Sequence, residues 1–121
     1  MKSIDIGSDF SVDPSGRFYT DGKGKSGEEF RERILMPALN ELKKDEKIIF
    51  TLDNGVESYG SSFLTEAFAG AVKYGYIEAD SLLAKIQFKY TDSEFSFFED
   101  KIRKYIKEAK FNSKVYQSTL P

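Results

Sequence analysis

The stretch Lys47–Gly75, "KIIFTLDNGVESYGSSFLTEAFAGAVKYG", changes its apolar period halfway along, and that change decides the fold. Lys47–Asp53 is almost continuously apolar, the pattern of a central parallel strand buried on both faces under helices. "NGVESYG" is the connection. Beyond it, Phe63, Leu64, Ala67, Phe68, Ala71 and Val72 recur at helical spacing. Ala69 and Gly70 are small enough to let another backbone approach, and Gly75 suits the helix end. A buried strand running into an amphipathic helix calls for a sheet with helical cover.

At the join stand Ser61 and Ser62. A serine at the cap position accepts an orphan amide of the first turn, worth about 1 kcal/mol. One serine suffices, which leaves the second hydroxyl spare at a helix start, where the potential is positive. A phosphate there would bring roughly two negative charges, which the helix end would stabilise while the surrounding surface changed sign. Without a neighbouring base, the same hydroxyl is a poor nucleophile for hydrolysis.

Working outward, Lys2–Gly7 alternates polar and apolar residues and predicts a short strand. A Pro-Ser-Gly turn then leads to a second short strand, Arg17–Thr20, and the two could pair as a hairpin. Asp21–Gly27, "DGKGKSG", is a flexible loop running into a helix over about residues 27–44, with Ser26 as its cap and Glu28 and Glu29 in its first turn. Phe30, Ile34, Leu35, Ala38, Leu39 and Leu42 give this helix one wide apolar face. Pro37 predicts a kink near Arg33–Pro37 or a helix restarted there. A short helix at Glu78–Lys85, a strand at "IQFKYT" and a last helix capped by Asp92 or Ser93 follow. Phe95, Phe98, Ile102, Tyr105 and Ile106 form that helix's inward face. The element order is β-β-α-β-α-α-β-α. Residues 1–111 read as one domain with a mixed sheet of about four strands and about four helices, and residues 112–121 as a loose, flexible tail.

The 121 residues suffice for a single core, rich in aromatics, with eleven Phe and seven Tyr. Cysteine and histidine are both absent, which excludes disulfides, thiolate or imidazole metal sites, cysteine nucleophiles and Ser-His-Asp triads. The net charge of −2 gives no overall drive toward nucleic acid. No apolar run resembles a signal peptide or a membrane span, so the expectation is a soluble cytoplasmic protein.

Four groups invite a functional reading. Lys23, Lys25, Ser26 and Gly27 form a Gly-rich loop at a helix start, a candidate anion or phosphate site. It departs from the nucleotide P-loop, because Tyr19 stands where the first glycine belongs. Asp53, Glu57 and Glu66 follow the central strand, where ligands gather in open α/β sheets. No nucleophile or base is spaced with them, and Glu66 can equally bond a backbone group or a basic residue. Lys101, Arg103, Lys104, Lys107, Lys110 and Lys114 read as a solvated face before they read as a nucleic-acid surface. The fourth group is the serine pair. No metal or cofactor is expected. An exposed aromatic patch, for instance from Tyr74, Tyr76 and Phe97, would suit a binding protein.

"LDNGVESYGSSFL" resembles the segment of STAS domains, the bacterial anti-sigma factor antagonist family, that ends the central strand and opens the next helix. Val56, Ser61, Ser62 and Leu64 match its pattern, whereas Gly60 stands where the family has Asp and Phe63 where it has Gly. The longer pattern is more similar to a STAS-like family of unknown function (the DUF4325 type). It includes Gly16-Arg17, Asp21-Gly22, "SGEEFRE" at Ser26–Glu32, the Leu35/Pro37 pair and "YGSSFLTEAFAG" at Tyr59–Gly70. The resemblance spans about residues 15–109. It implies a STAS-like α/β fold and a regulatory protein–protein interaction role in signalling rather than catalysis. It further implies a histidine-kinase-like ATPase partner that phosphorylates the second serine, Ser62, with Ser61 as the other candidate. Partner contact would fall at Tyr59, Gly60, Ser61, Ser62, Phe63 and Glu66. Two alternatives stand beside this reading. One is a small nucleotide- or phosphate-binding sensor, and the other a stand-alone inhibitor or adaptor of mobile-element origin. A homo-oligomer is compatible with each.

Overall fold

Ile48 and Phe50 are fully buried and Ile49 and Thr51 half-buried, so the central strand β2 (Ile48–Thr51) is packed harder on one face than on the other. The computed structural model describes residues 2–120. β2 pairs in parallel with β1 (Lys2–Asp5), setting Ile4 beside Phe50. It pairs in parallel again with β3 (Ile86–Lys89), setting Phe50 beside Phe88. The order is β1-β2-β3. Five helices accompany the sheet: α1 (Ile6–Asp9), α2 (residues 27–41), α3 (residues 61–73), α4 (Ala79–Lys85) and α5 (Ser96–Glu108).

Among the described residues the sheet has three strands, all parallel, rather than about four in a mixed sheet. The expected strand at Arg17–Thr20 and its hairpin do not form, and a 3-10 turn at Tyr19–Asp21 stands there instead. The backbone polar groups of this segment are spent elsewhere. Asp21 Oδ2 accepts from the amides of Arg17 (3.1 Å) and Phe18 (2.9 Å), and Glu28 Oε1 from the amide of Tyr19 (3.0 Å). The carbonyls of Gly16 and Arg17 accept from the amides of Gly27 (3.0 Å) and Glu28 (2.9 Å). Groups so satisfied are not available to a β ladder. β1 also ends at Asp5, where the chain turns directly into α1 with Asp5 as its cap.

α2 is α-helical at Gly27–Phe30 and Met36–Glu41, with a widened segment at Arg31–Leu35 where the hydrogen bonds run i→i−5. Pro37 has no N–H to give the carbonyl of Arg33, and the amide of Met36 reaches back to Arg31 O. The expected kink takes this form. α3 has the same device at Thr65–Ala69, where the amide of Gly70 reaches Thr65 O. Phe30 of α2, Phe50 of β2 and Phe63 and Phe68 of α3 bury their rings together, with centroids 5.5–6.2 Å apart. Each such ring contributes about 1.5–3 kcal/mol through burial. Gly27 makes the crossing of α2 and α3 possible, since a Cβ there would stand 2.5 Å from Phe63 O and 3.0 Å from Ala67 N.

α5 follows a 3-10 turn at Ser93–Phe95 capped by Asp92, whose carboxylate accepts from the amide of Glu94. It packs on the middle of α3 through the fully buried Ile102 and Ile106, with Phe98 and Tyr105 half-buried beside them. Residues 112–120 have no regular structure, yet the loose tail expected from sequence is held along the body. The amides of Asn112 and Lys114 donate to Val72 O and Lys73 O, both at 3.0 Å, and Tyr116 and Thr119 both bond Glu28. Among the described residues no helix is long and apolar enough to cross a membrane.

Candidate functional site

Tyr59 fixes the frame in which α3 begins. It is buried, its ring lies 6.0 Å from that of Phe63 and 5.4 Å from that of Phe98, and its hydroxyl donates to Leu52 O at 2.7 Å. Burial, with Asp5 and Asp53 nearby, pushes the phenol far above its ordinary pKa, so it remains a donor. The loop 52–60 is thereby closed at both ends, and the amide of Gly60 reaches Pro14 O.

The cap of α3 is Gly60, and no side chain caps the helix. The expectation that one serine caps is thus corrected. Ser61 and Ser62 occupy the first two helical positions, both exposed, and neither hydroxyl is hydrogen-bonded among the described residues. The amide of Leu64 reaches Gly60 O at 3.1 Å, but those of Ser61, Ser62 and Phe63 find no acceptor among the described residues. The two serines line an open depression of about 690 Å³ together with Gly60, Gly16, Arg17, Phe18 and Asp21. The Arg17 guanidinium pairs with no carboxylate among the described residues. The hydroxyls and free amides of Ser61 and Ser62 therefore share one open depression with Arg17 and Asp21, while the free amide of Phe63 belongs to a fully buried residue.

Of the six residues expected at a partner surface, Gly60, Ser61 and Ser62 are exposed. Tyr59, Phe63 and Glu66 are buried at 6%, 0% and 5% relative exposure and shape the site from beneath. The serine-containing loop at Lys23–Gly27 is built differently. Ser26 is fully buried, and its Oγ accepts from the amide of Glu29 at 3.2 Å. The amides of Gly27, Glu28 and Phe30 go to Gly16 O, Arg17 O and Ser26 O. The start of α2 therefore has no backbone donor left for an anion. Lys25 lies 3.7 Å from Asp13, and Lys23 lines a cavity of about 520 Å³ with Tyr19, Glu29, Arg33 and Leu120.

The carboxylates do not converge. Asp53 Oδ2 accepts from the amides of Thr91 and Asp92, both at 2.8 Å, and so fixes the loop after β3. Glu57 is exposed, and Glu66 is buried on α3. Among the described residues no cluster of acids could hold a metal ion. On α5, Arg103 pairs with Glu99 at 2.9 Å and lies over the ring of Phe88, while Lys101 lies over Phe97. The three aromatics named from sequence separate. Tyr74 and Tyr76 face Arg31 and Glu32, whereas Phe97 lines a depression with Glu57, Asp92, Glu94, Phe95 and Phe98.

A buried polar cluster escaped the sequence reading. Arg31 is fully buried, with Nη1 donating to Glu66 O (2.7 Å) and Glu66 Oε2 (2.8 Å), and Nε donating to Glu32 (2.8 Å). Burial works against the guanidinium's charge, but Glu32 and Glu66 outweigh it and hold it protonated. Its Cζ lies 4.6 Å from the ring centroid of Tyr74 and 4.8 Å from that of Tyr116, and the two rings touch each other at 5.3 Å. Tyr74 donates to Glu66 at 2.8 Å, and burial together with that carboxylate pushes its phenol up to about 12. Gly70 makes room, because a Cβ there would lie 2.6 Å from Arg31 Nη1. The available signal was the four-residue spacing of Glu66, Gly70 and Tyr74, one polar stripe beside the apolar one.

Comparison with known families gives one result. The model of a family described as a STAS-like domain of unknown function (DUF4325) matches residues 26–94, more than half of the chain. The match begins at the cap of α2 and ends in the turn before α5, so it contains β2, α3 and the serine pair. No curated protein and no solved structure matches the chain.

Proposed function

On the premise that the chain belongs to this STAS-like family, we propose that it is a non-enzymatic regulatory module that binds a protein partner through the exposed start of α3. Its binding is switched by phosphorylation of Ser62. The observation that carries this reading is the helix start without a side-chain cap, with the unbonded hydroxyls and free amides of Ser61 and Ser62 and the unpaired Arg17 around one depression. A hydroxyl so placed is accessible to a kinase. The phosphate would arrive where the helix end and Arg17 both favour negative charge.

The partner is a histidine-kinase-like ATPase acting as a serine kinase: Ser62 Oγ bonds to the γ-phosphorus of ATP as the bond from that phosphorus to the bridging oxygen breaks, ADP leaves, and the hydroxyl proton passes to a base of the kinase. This domain supplies no catalytic base. It presents the acceptor on a helix fixed by Tyr59 and Phe63 from beneath. The added charge makes a depression lined by one cation, Arg17, and one carboxylate, Asp21, net negative, which works against an interface matched to the neutral hydroxyl.

The test is to incubate the purified chain with such an ATPase and ATP and to read phosphate by mass spectrometry. Phosphate on Ser62, lost in Ser62→Ala and retained in Ser61→Ala, is expected. In pull-down, Ser62→Asp weakens partner binding at least tenfold. Absence of both complex and phosphate overturns the reading, and equal binding of Ser62→Asp and wild type removes the switch.

A further inference from the structure

The C-terminal segment is held by a small number of specific contacts rather than by burial. Glu28, fully buried in α2, accepts from Tyr116 OH (2.6 Å), the amide of Thr119 (3.0 Å) and Thr119 Oγ1 (2.6 Å). The Tyr116 ring packs 4.8 Å from the Arg31 guanidinium and 5.3 Å from the ring of Tyr74. Two backbone bonds to Val72 O and Lys73 O set the segment's path. Its apolar side chains contribute little, since Val115 is 86% and Leu120 61% exposed.

The fit is also incomplete. Among the described residues, Arg31 Nη2 is the one buried side-chain polar atom without a hydrogen-bond partner, and it lies in this cluster. An unserved buried donor marks a place where a better-matched occupant has an acceptor to offer. The floor residues Glu28, Arg31 and Glu66 fall within the family match, while Tyr116 and Thr119 fall outside it.

We propose that the groove floored by Glu28, Arg31 and Glu66 is a peptide-binding site occupied in cis by the chain's own tail. In trans it takes an extended segment of a partner protein carrying a tyrosine and, three residues later, a threonine. The tail supplies the template for that chemistry: a phenol stacked on a guanidinium, and two hydroxyls and one amide converging on one carboxylate. As a tethered ligand it acts at an effective concentration of about millimolar, so it screens the groove from weaker segments and yields to a tighter one. The site shares no residue with the Ser62 surface, and its failure or success is read separately.

The probe is a fluorescent peptide spelling residues 112–120, titrated by anisotropy into the full chain. Tyr116→Ala in the protein opens the groove and binds the peptide at least tenfold more tightly than wild type does. Replacing Tyr116 by Phe, or Thr119 by Val, in the peptide alone weakens binding at least fivefold, and neither change touches the protein's fold. If Tyr116→Ala does not fold, Thr119→Val in the protein opens the same groove more gently. Equal affinity of the opened and wild-type chains, no binding at millimolar peptide, or indifference to the peptide's two hydroxyls overturns the proposal. A dimer of the wild-type chain that grows with concentration and is abolished by Tyr116→Ala assigns the groove to the tail of a second copy and overturns the partner.

Discussion

The starts of α2 and α3 use the same local vocabulary, a glycine and a serine at a loop-to-helix junction, and end in opposite states. At α2 every first-turn amide is bonded, and Ser26 is buried as the cap. At α3 a glycine holds the cap position, the exposed serines sit one and two places further on, and the amides of residues 61–63 have no acceptor among the described residues. One junction is consumed in holding the fold together. The other is left chemically open, which is what the proposed switch at Ser62 rests on. The difference comes from what packs over each start. The carbonyls of Gly16 and Arg17 lie across the start of α2 and take two of its amides, whereas at α3 the same loop reaches only Gly60, through Pro14 O and with Ser15 at ordinary van der Waals distance from a Cβ built there.

Both helices depend on their shared crossing, and its strongest test is Glu66→Ala. That change removes one of the two carboxylates paired with the buried Arg31 guanidinium, leaving Glu32 and the carbonyl of residue 66, and should cost about 3–4 kcal/mol, read as a fall in the urea midpoint. Gly27→Ala comes next. Its Cβ meets backbone atoms of α3, which cannot swing aside, so a loss of about 3 kcal/mol is expected from the same measurement. A cost below about 1 kcal/mol would mean that the crossing is slack.

The two starts are compared directly by Ser26→Ala against Ser61→Ala and Ser62→Ala. The first should cost about 1–2 kcal/mol, and the other two should stay within about 0.5 kcal/mol of wild type. Equal effects would erase the contrast. A pH series sharpens it at Glu28. Burial alone would raise that carboxyl, but Thr119, Tyr116 and the amide of Tyr19 outweigh burial and hold it below the usual carboxylate range. A depressed acid contributes stability above its unfolded pKa and loses it as pH falls through the folded one. The stability gap between wild type and Glu28→Gln should therefore be constant near pH 7 and shrink below about pH 4. A gap that widened with acid would contradict the bonding. The smallest effect is Gly60→Asp. The backbone there is extended and a Cβ has room, so the carboxylate can take a free amide and stabilise by a few tenths of a kcal/mol.

The strand–helix alternation was legible because hydrophobic period reports directly which face of an element is buried. β2, β3, the apolar stripe of α3 and the inward face of α5 all follow from it. The irregularity in α2 was legible from Pro37, since a missing N–H acts locally. The hairpin at Arg17–Thr20 was misread because "GRFYT" has strand composition, while its hydrogen bonds are decided by Asp21 and by the start of α2, which lies apart in sequence. The serine pair was found, but its frame was not. A cap residue is chosen by where the loop is pinned, and Tyr59 pins it through Leu52 O so that Gly60 falls at the boundary.

The tail shows the same limit. Its polar composition reads as loose because composition measures how much apolar area a segment can bury, and this one buries little. Tyr116 and Thr119 are held by a carboxylate and a guanidinium some ninety residues earlier, a pairing that no local pattern contains. The sequence alone thus determined the α/β class, the central strand, the helix that follows it and the exclusion of thiol and imidazole chemistry, all properties carried by residue type and period. Tertiary structure alone decided that Gly60 rather than a serine holds the cap of α3, how many strands pair, and where the last residues lie. Each of those depends on which hydrogen-bonding groups meet across long stretches of chain, and that is settled only when the elements pack.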